Sequence, residues 1–197
     1  KLKKLGKTVI FHAHEDLPKQ LLGKPYLNKP AKIILSKTFA FYERWACRRF
    51  DAMITATPSI REKFLKINPN TVDINNFPLL DELANTSDWS HKRNEAVYVG
   101  GIARVRGIVE VVQAFSLTRD VTLNLGGEFS ELNIRSDVSS LDGWSNVNYL
   151  GFVNREEMSQ LFFRSKLGIV TFLPLPNHID AQPNKMFEYM SAGIPIV

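Results

Sequence analysis

The sequence has a single cysteine, Cys47, among its 197 residues. One thiol excludes an intramolecular disulfide framework and a metal cluster built on several cysteines, and it favours a reducing compartment. No apolar run in the chain reaches the roughly 18 to 20 residues that a membrane-spanning helix needs. The G-x-G-x-x-G dinucleotide fingerprint and the Gly-Lys-Ser/Thr ending of a Walker loop are both missing, which disfavours NAD and P-loop chemistry.

Positive charge is concentrated in the first third of the chain. Residues 1–66 contain 15 Lys/Arg and 5 Asp/Glu, whereas residues 67–197 contain 10 and 15, and the net charge is +5. Such a basic region predicts a face that meets an anionic partner, such as a membrane surface or a phosphorylated substrate. The alternative, that the lysines only solvate the fold, stays open. We expect no nucleic-acid partner, because the charge does not coincide with an aromatic-rich strand pattern.

Short apolar runs alternate with helical patterns along the whole chain. The runs predict buried strands, and the alternation is typical of a parallel sheet that is covered on both faces. Strands are expected at residues 8–11, 52–56, 72–74, 96–99, 121–125, 147–150, 167–172 and 194–197, and helices at residues 31–50, 107–116, 155–164 and 184–192, with another starting at Thr57.

A polar, aperiodic stretch at residues 84–94 divides this pattern into two series. We therefore predict an α/β protein with two Rossmann-like, doubly wound parallel-sheet domains, the first in residues 1–88 and the second in residues 89–197. Ligands of such sheets bind beyond the carboxyl ends of the strands, so the residues that follow each strand are the candidates for a site.

The first candidate is the glycine-rich loop VGGIARVRG, which follows a strand and opens a helix. Gly100, Gly101 and Gly107 allow the backbone to approach a phosphate, and the helix N-terminus adds partial positive charge. Arg104 and Arg106 can clamp a diphosphate. The pattern favours phosphate binding over a plain glycine turn with two surface arginines.

The second candidate is the closing segment, HIDAQPNKMFEYMSAGIPIV. Pro183 is typical of a first helical position, and the free N–H groups at the start of that helix suit an anion. Glu188 can accept hydrogen bonds from a ribose diol, and Asp180 can reach a sugar hydroxyl. Spacing alone does not separate these roles from a simpler one, in which Glu188 complements the helix dipole.

Histidines at the end of the first strand form the third candidate. His12 and His14 share one face of a strand, which would suit a metal, but the sequence offers no evident third ligand. We therefore expect no metal, and we expect His14 to act as a hydrogen-bonding or acid–base residue in a crevice. The glycines at 126, 127 and 151 also follow strands, where a flat base can lie against backbone.

Together, these residues resemble a known family. The segments that carry the resemblance are HAHEDLP, RRFDAMITATPSI, NNFP, YVGGIARVRGI, LGGEFS, YLGFVNREEM and QPNKMFEYMSAGIPIV, in that order along nearly the whole chain. They are similar to segments of family-four glycosyltransferases, retaining enzymes of the GT-B fold, and most closely to the capsular and exopolysaccharide members. Members of that family are much longer, so we expect the chain to be a fragment in which both domains are incomplete.

The resemblance implies specific roles for the candidate residues. Asp180 and Glu188 hold the two ends of the family's E-x7-E motif. Glu188 would bind the donor ribose, and Asp180, where the family has glutamate, would lie near the transferred sugar. His14 matches a histidine that contacts the donor sugar, so His14 and Asp180 are the candidate catalytic residues. Backbone amides around Asn184 and Lys185 would hold phosphate.

The glycine loop departs from the family at one position. Arg106 occupies the place of the family's diphosphate-binding lysine, but Gly101 stands where the family has an arginine. Arg104 is the residue that we expect to supply the missing charge. With fixed cations at the diphosphate, we expect neither a cofactor nor a metal.

The resemblance also implies a reaction. A hexosyltransferase-type enzyme would move a sugar from a nucleotide-diphosphate donor to a saccharide or lipid-linked acceptor, with retention of anomeric configuration, in the synthesis of cell-surface polysaccharide or glycoconjugates. We expect a cytoplasmic location, with the basic helix at residues 31–50 either resting on the inner face of a membrane or serving as an ordinary domain helix. Two rival functions stay open, a nucleotide-sugar epimerase and a non-catalytic nucleotide-binding module.

Overall fold

The computed structural model describes residues 2–24, 26–79, 82–83 and 89–197. The chain divides into two compact units: unit 1 consists of Lys1–Asn76 with Pro174–Gln182, and unit 2 of Phe77–Leu173 with Pro183–Val197. Residues 84–88 of the predicted linker, which include the predicted domain boundary, lie outside the described residues.

Unit 1 contains, in chain order, strand β1 (Ile10–Ala13), helices α1 (Leu17–Leu22) and α2 (Lys29–Cys47), strand β2 (Ala52–Thr55), helix α3 (Pro58–Leu65) and strand β3 (Thr71–Asp73). The three strands are parallel and lie in the order β1-β2-β3. A small core is formed by Ala13, Cys47, Met53 and Phe64. Burial raises the pKa of the Cys47 thiol to about 11, so this thiol stays protonated at neutral pH.

Helices of unit 1 begin where side chains satisfy free backbone N–H groups. The Asn28 side chain accepts a hydrogen bond from the Ala31 N–H (2.9 Å), so α2 begins at Lys29, two residues before the predicted start. Thr57 caps α3 in the same way, and Pro58 occupies the first turn, as the sequence predicts.

Unit 2 alternates strands and helices: β4 (Arg93–Val99), α4 (Ile108–Phe115), β5 (Thr122–Gly126), α5 (Ile134–Ser139), β6 (Val147–Gly151), α6 (Arg155–Arg164), β7 (Ser165–Gly168) and α7 (Asn184–Ser191). Its four strands are parallel and lie in the order β6-β5-β4-β7. A short 3-10 helix, Arg104–Arg106, precedes α4. No helix in the described residues is both long enough and apolar enough to cross a membrane.

Both faces of this sheet are covered. Along β4, Ala96 and Tyr98 pack in the cluster that contains α4, whereas Val97 packs on the other side with Phe162 of α6 and Tyr189 of α7. Successive side chains of a strand point to opposite faces, so the continuous apolar run at residues 96–99 of β4 needs a layer of helix on each side. The predicted fold class, an α/β protein with two Rossmann-like parallel sheets, is confirmed.

The strand pairing at the end of the chain is shorter than predicted. β7 ends at Gly168 instead of residue 172, and the predicted strand at 194–197 is reduced to a bridge between Gly168 and Ile196. Pro195 has no N–H to donate, which limits the ladder at this edge. Beyond the end of β7, the Tyr189 hydroxyl of α7 hydrogen-bonds to the main chain of β4 at Val97 and Val99.

The turns after β4 and β5 touch backbone to backbone. Gly100 donates its N–H to the Gly126 carbonyl (3.0 Å), and Gly127 donates to the Gly151 carbonyl (2.6 Å). Gly127 has a φ of 136°, and a Cβ at this residue would lie 1.9 Å from the Gly100 carbonyl oxygen. Only glycine fits such a contact, so Gly127 fixes the position of the turn after β4.

We expect Gly127→Ala to destabilise unit 2 by at least about 3 kcal/mol, because the new methyl group would overlap the Gly100 carbonyl and would also impose a positive φ on alanine. Gly151→Ala is the matched control. Gly151 has a φ of 68°, but nothing lies within 4 Å of a Cβ built there, so its cost should be about 1–2 kcal/mol. Urea unfolding followed by circular dichroism measures both variants, and equal losses would contradict the steric argument.

Candidate functional site

The turn after β4 presents backbone rather than side chain. Gly100 has a φ of 136°, a conformation that favours glycine. The Gly101 carbonyl accepts hydrogen bonds from the Tyr98 hydroxyl (3.0 Å) and from Arg106 Nη1 (3.2 Å). The Arg106 guanidinium therefore covers Gly101, where a Cβ would lie 3.3 Å from Nη1.

The 3-10 helix fixes the backbone of Arg106. Thr171 Oγ1 donates to the Arg106 carbonyl (2.8 Å). Gly107, with a φ of 72°, ends the 3-10 helix and begins α4. Four predicted loop residues, Gly100, Gly101, Arg106 and Gly107, are therefore brought together at the end of β4.

Arg104 lies in the same 3-10 helix but has a different partner. Its guanidinium pairs with Asp137 of α5, and its backbone N–H donates to Glu131 Oε1 (3.1 Å). The arginine that donates to the Gly101 carbonyl is Arg106, not Arg104. The expected role of Arg104, to supply the charge that is missing at position 101, stays a prediction and requires the pair with Asp137 to open.

Helix α7 begins beside the glycine turn. Pro183 precedes it without a side-chain cap, and the Met186 N–H donates to the Pro183 carbonyl (2.9 Å). The first N–H groups of a helix have no intrahelical acceptor, so Asn184 and Lys185 offer donors at the positive end of the helix dipole. The Lys185 side chain connects this helix start to the turn, because its Nζ would lie 3.6 Å from a Cβ built on Gly100.

The Lys185 ammonium group is buried and has no hydrogen-bond acceptor among the described residues. The residue is 7% exposed, and its Nζ lies 3.3 Å from the centre of the Tyr98 ring, in a cation–π contact. Burial, reinforced by the nearby Arg106, lowers the pKa of Lys185 to about 7, while Glu188 acts in the opposite direction. An anion at this point would supply the missing acceptor.

Tyr189 ties α7 to the strand that carries the glycine turn. Its fully buried hydroxyl donates to the Val97 carbonyl (3.1 Å) and accepts from the Val99 N–H (3.2 Å). Its ring packs so closely on Gly168 that a Cβ there would lie 2.3 Å from Tyr189 Cδ2. The side chain thus adds hydrogen bonds to the main chain of β4, beside the one from the Ile169 N–H to the Val97 carbonyl (2.8 Å), and holds α7 against β4.

Glu188 is held by an arginine that the sequence analysis did not identify. Arg155, the first residue of α6, donates from Nη1 to Glu188 (2.6 Å) and from its other two nitrogens to Glu82 (2.6 and 2.7 Å). Hydrogen bonds to these two carboxylates raise the pKa of Arg155. Arg155 lies four residues after the end of β6. Because ligands of such sheets bind beyond the carboxyl ends of the strands, this position was the signal that could have identified Arg155.

The two predicted catalytic residues lie in unit 1. His14 directly follows β1, and its exposed ring lies 4.0 Å from the His12 ring. Asp180 pairs with Lys19 Nζ at 3.1 Å, and because both side chains are about half exposed the pair contributes little to stability. In the described part of the chain, no group of three or more His, Cys, Asp and Glu side chains could hold a metal ion. The catalytic roles of His14 and Asp180 stay predictions.

The sequence of unit 2 identifies the family. Residues 81–197 match the family model described as glycosyl transferases group 1. The match covers more than half of the chain and includes the glycine turn, Arg106 and α7. The chain therefore belongs to this family.

The fold is similar to those of solved glycosyltransferases. HepE of Anabaena, in complex with UDP and glucose, has a TM-score of 0.71 at 15% identity, over 99% of this chain and 53% of that one. Sucrose-phosphate synthase from Thermosynechococcus elongatus has a TM-score of 0.70 at 17% identity, over 96% and 49%. WaaG, a glycosyltransferase involved in lipopolysaccharide biosynthesis, has a TM-score of 0.68 at 14% identity, over 99% and 60%.

These similarities support the GT-B fold class, and at such low identities they show the fold alone. The chain spans about half the length of the first two of these proteins and 60% of WaaG. Comparison with curated proteins gives no match.

Replacing Lys185 by methionine should stabilise the unliganded protein. Lys185→Met keeps an apolar stem on the Tyr98 ring and removes a buried charge without an acceptor, a gain of about 1–3 kcal/mol at about pH 6. The folded-state pKa of about 7 lies below the ordinary lysine value of 10.5. The unfolded chain therefore binds more protons between these two values, and the wild-type protein gains stability as the pH rises through them.

The advantage of Lys185→Met should accordingly shrink between about pH 7 and pH 10. Thermal unfolding of the wild type and of Lys185→Met across this pH range measures the difference in stability. Lys166→Met is the control, because the Lys166 ammonium group already binds Asn94 Oδ1 (2.6 Å) at the surface of β7. A variant at position 185 that is less stable than the wild type at the acid end would contradict the argument.

Proposed function

We propose that the protein is a retaining, hexosyltransferase-type glycosyltransferase, which moves a sugar from a nucleoside diphosphate to an acceptor hydroxyl in the synthesis of a cell-surface polysaccharide or glycoconjugate. The observation that carries the proposal is the meeting of three anion-binding features at the end of β4: the glycine turn, the Arg106 guanidinium and the amino end of α7. Family membership supports the transfer reaction. The similarity to HepE, solved with UDP and glucose, supports a nucleotide-sugar donor.

The proposed chemistry requires stabilisation of a leaving diphosphate. The bond between the anomeric carbon and the β-phosphate oxygen breaks, the acceptor oxygen bonds to that carbon on the same face, and the acceptor proton passes to the leaving phosphate. Negative charge grows on the diphosphate as the bond breaks, and a fixed guanidinium and helix N–H groups stabilise it without reorganisation. We propose that these groups act without a metal or a cofactor.

Glu188 is proposed to bind the ribose of the donor. One of its oxygens accepts a hydrogen bond from Arg155, which orients the carboxylate. The remaining lone pairs can accept hydrogen bonds from the two ribose hydroxyls. Gly100, Gly101 and Gly107 shape the turn that would approach the diphosphate.

Further roles are proposed from the correspondence with the family motif. His14 and Asp180 would contact the transferred sugar, with the shorter Asp180 in the place of a glutamate. Asn184 would donate its backbone N–H to a phosphate oxygen. Arg104 would add charge at the diphosphate after leaving Asp137.

Two other functions use parts of the same site. An epimerase would bind the same donor and rearrange it without an acceptor, and a binding module would hold the donor unchanged. The family match favours transfer over both. Isotope exchange within the donor in the absence of an acceptor would identify the epimerase, and donor binding without hydrolysis or transfer would identify the module.

We expect Arg106→Ala to weaken the binding of UDP or GDP about 10- to 100-fold, because a charge-assisted hydrogen bond to phosphate contributes about 1.5–3 kcal/mol. Isothermal titration calorimetry with both nucleotides measures the affinity, and loss of labelled sugar from UDP-glucose or GDP-mannose measures turnover. Arg119→Ala is the matched control, since Arg119 is exposed after α4. Unchanged affinity and turnover in Arg106→Ala would contradict the proposed role of Arg106 in binding the diphosphate.

We also propose that α2 binds an anionic membrane surface that carries a lipid-linked acceptor. The outer face at its carboxyl end carries Phe41 and Trp45, which are 74% and 50% exposed. Together with Arg44, Arg48 and Arg49, they line a cleft of about 520 Å³. Aromatic side chains flanked by cations are typical of helices that lie in the headgroup region of a membrane.

The charge of α2 favours anionic lipid as the occupant of this cleft. Its one acid, Glu43, is buried and pairs with Lys63 (2.6 Å), so the exposed charges of the helix are all positive. Cations near an anionic membrane contribute about 1 kcal/mol each to binding. The cytoplasmic location at the inner face of a membrane is part of this proposal.

Sedimentation with phosphatidylglycerol vesicles tests the α2 surface. Arg44→Glu combined with Arg48→Glu should weaken binding at least about tenfold, because the change reverses two charges on the cleft. Lys4→Glu combined with Lys7→Glu makes the same charge change at other exposed positions of unit 1 and should have a smaller effect. Equal binding by the two double variants, or equal binding of the wild type to phosphatidylcholine vesicles, would contradict the proposal.

A further inference from the structure

We infer that the Lys185 ammonium group is the second cation of the diphosphate site, in place of the arginine that position 101 lacks. The inference rests on the proposed function and deepens it, because it assigns donor binding to a side chain of α7. This role differs from that of the Lys185 backbone N–H, which almost any residue at this position would provide.

Lys185 and Arg106 lie around one point beside the glycine turn. A Cβ built on Gly100 would lie 3.6 Å from Lys185 Nζ and 3.7 Å from Arg106 Nη1. Two like charges this close to one point repel each other, and negative charge placed between them removes the repulsion. The absence of a side chain at Gly100 leaves that space open to a ligand.

Burial without an acceptor distinguishes Lys185 from a structural lysine. Lys92, another buried lysine of unit 2, donates its Nζ to the Phe162 carbonyl (2.9 Å). Lys185 Nζ has no hydrogen-bond partner in the described residues and faces the Tyr98 ring. Buried polar groups in native proteins are normally hydrogen-bonded, so an ammonium group without an acceptor points to a ligand.

The loop explains why the second cation comes from α7. The Arg106 guanidinium lies over Gly101 and donates to its carbonyl, so the space next to Gly101 is already taken by one cation. Arg104, the other cation of the loop, is paired with Asp137. Lys185 approaches Gly100 from helix α7, and its ammonium group has no ion pair within the described structure.

Donor binding should therefore change the protonation of Lys185. The charged and titratable groups that face its side chain are Tyr98 of β4, Arg106 of the 3-10 helix and Glu188 of α7. Burial and Arg106 lower the pKa of Lys185 to about 7, so at about pH 8 most molecules carry a neutral amine. A diphosphate favours the ammonium form, and binding should take up close to one proton for each ligand bound.

Calorimetry of Lys185→Met with UDP, GDP and UMP tests the inference. We expect the variant to bind UDP or GDP about 10- to 100-fold more weakly than the wild type. The affinity for UMP, which lacks the β-phosphate, should change much less. Titrations at about pH 8 in two buffers of different ionisation enthalpy should show proton uptake by the wild type and none by the variant. A purely structural lysine would give neither difference.

Two further variants control for charge and position. Lys166→Met removes a lysine that binds Asn94 at the surface of β7 and should leave UDP binding unchanged. Gly101→Arg combined with Lys185→Met returns an arginine to the loop. Gly101 does not have a positive φ that would oppose the change, and the Arg106 guanidinium, 3.3 Å from a Cβ built there, lies at the end of a flexible side chain and can shift by a few tenths of an ångström. The double variant should recover affinity for UDP relative to Lys185→Met. Failure to recover, with UMP binding intact, would count against a shared role of positions 101 and 185.

The outcomes separate this inference from the proposed function. If the wild-type chain binds neither UDP nor GDP, both the proposed function and the inference about Lys185 are wrong. If the wild type binds UDP and Lys185→Met binds it equally well with the same proton uptake, the role of the Lys185 side chain alone is overturned.

Discussion

A lysine amino group buried without a hydrogen-bond acceptor is the constraint on which the site of unit 2 depends. Lys185 lies under the surface at the start of α7, and the Tyr98 ring compensates only part of its lost hydration. Arg106 adds a second positive charge near the same point. We expect the free protein to be less stable than one with an apolar residue at position 185, and we propose that a bound diphosphate removes that deficit. Under the proposed function, this local cost to stability would serve to hold the diphosphate leaving group.

Two backbone contacts keep these charges in place. Gly127 packs against the Gly100 carbonyl so closely that no side chain would fit between them, and this contact fixes the turn after β4. The Tyr189 hydroxyl hydrogen-bonds to the main chain of β4 at Val97 and at Val99, the last residue before this turn. Anion-binding groups that are fixed before the ligand arrives stabilise developing charge without reorganisation, as the proposed transfer from a nucleotide diphosphate would require.

The sequence was sufficient where a local signal determines the structure. Helix α6 begins at its predicted residue because an asparagine–glutamate capping box marks its start. The sequence was insufficient where partners come from distant positions. The apolar run after Gly168 predicts a longer strand, but past the Ile169 N–H, which donates to the Val97 carbonyl, the Val99 N–H of β4 donates to Tyr189 of α7. Arg104 could be placed in the glycine-rich loop, but its pair with Asp137 could not be foreseen. The helix carrying Lys185 was predicted, yet burial of its ammonium group depends on tertiary packing that no spacing reveals.

The anchoring of α7 by Tyr189 has a consequence for the diversity of such proteins. A helix that is fastened to main-chain atoms by one interior side chain keeps its register when residues on its outer surface change, and Met190 on that surface is 61% exposed. Substitutions on the outer surface of the anchored helix can therefore accumulate while the distance between Lys185 and the glycine turn stays constant. The outer side of this short helix is free to vary, and its inner side keeps the geometry of the buried amine.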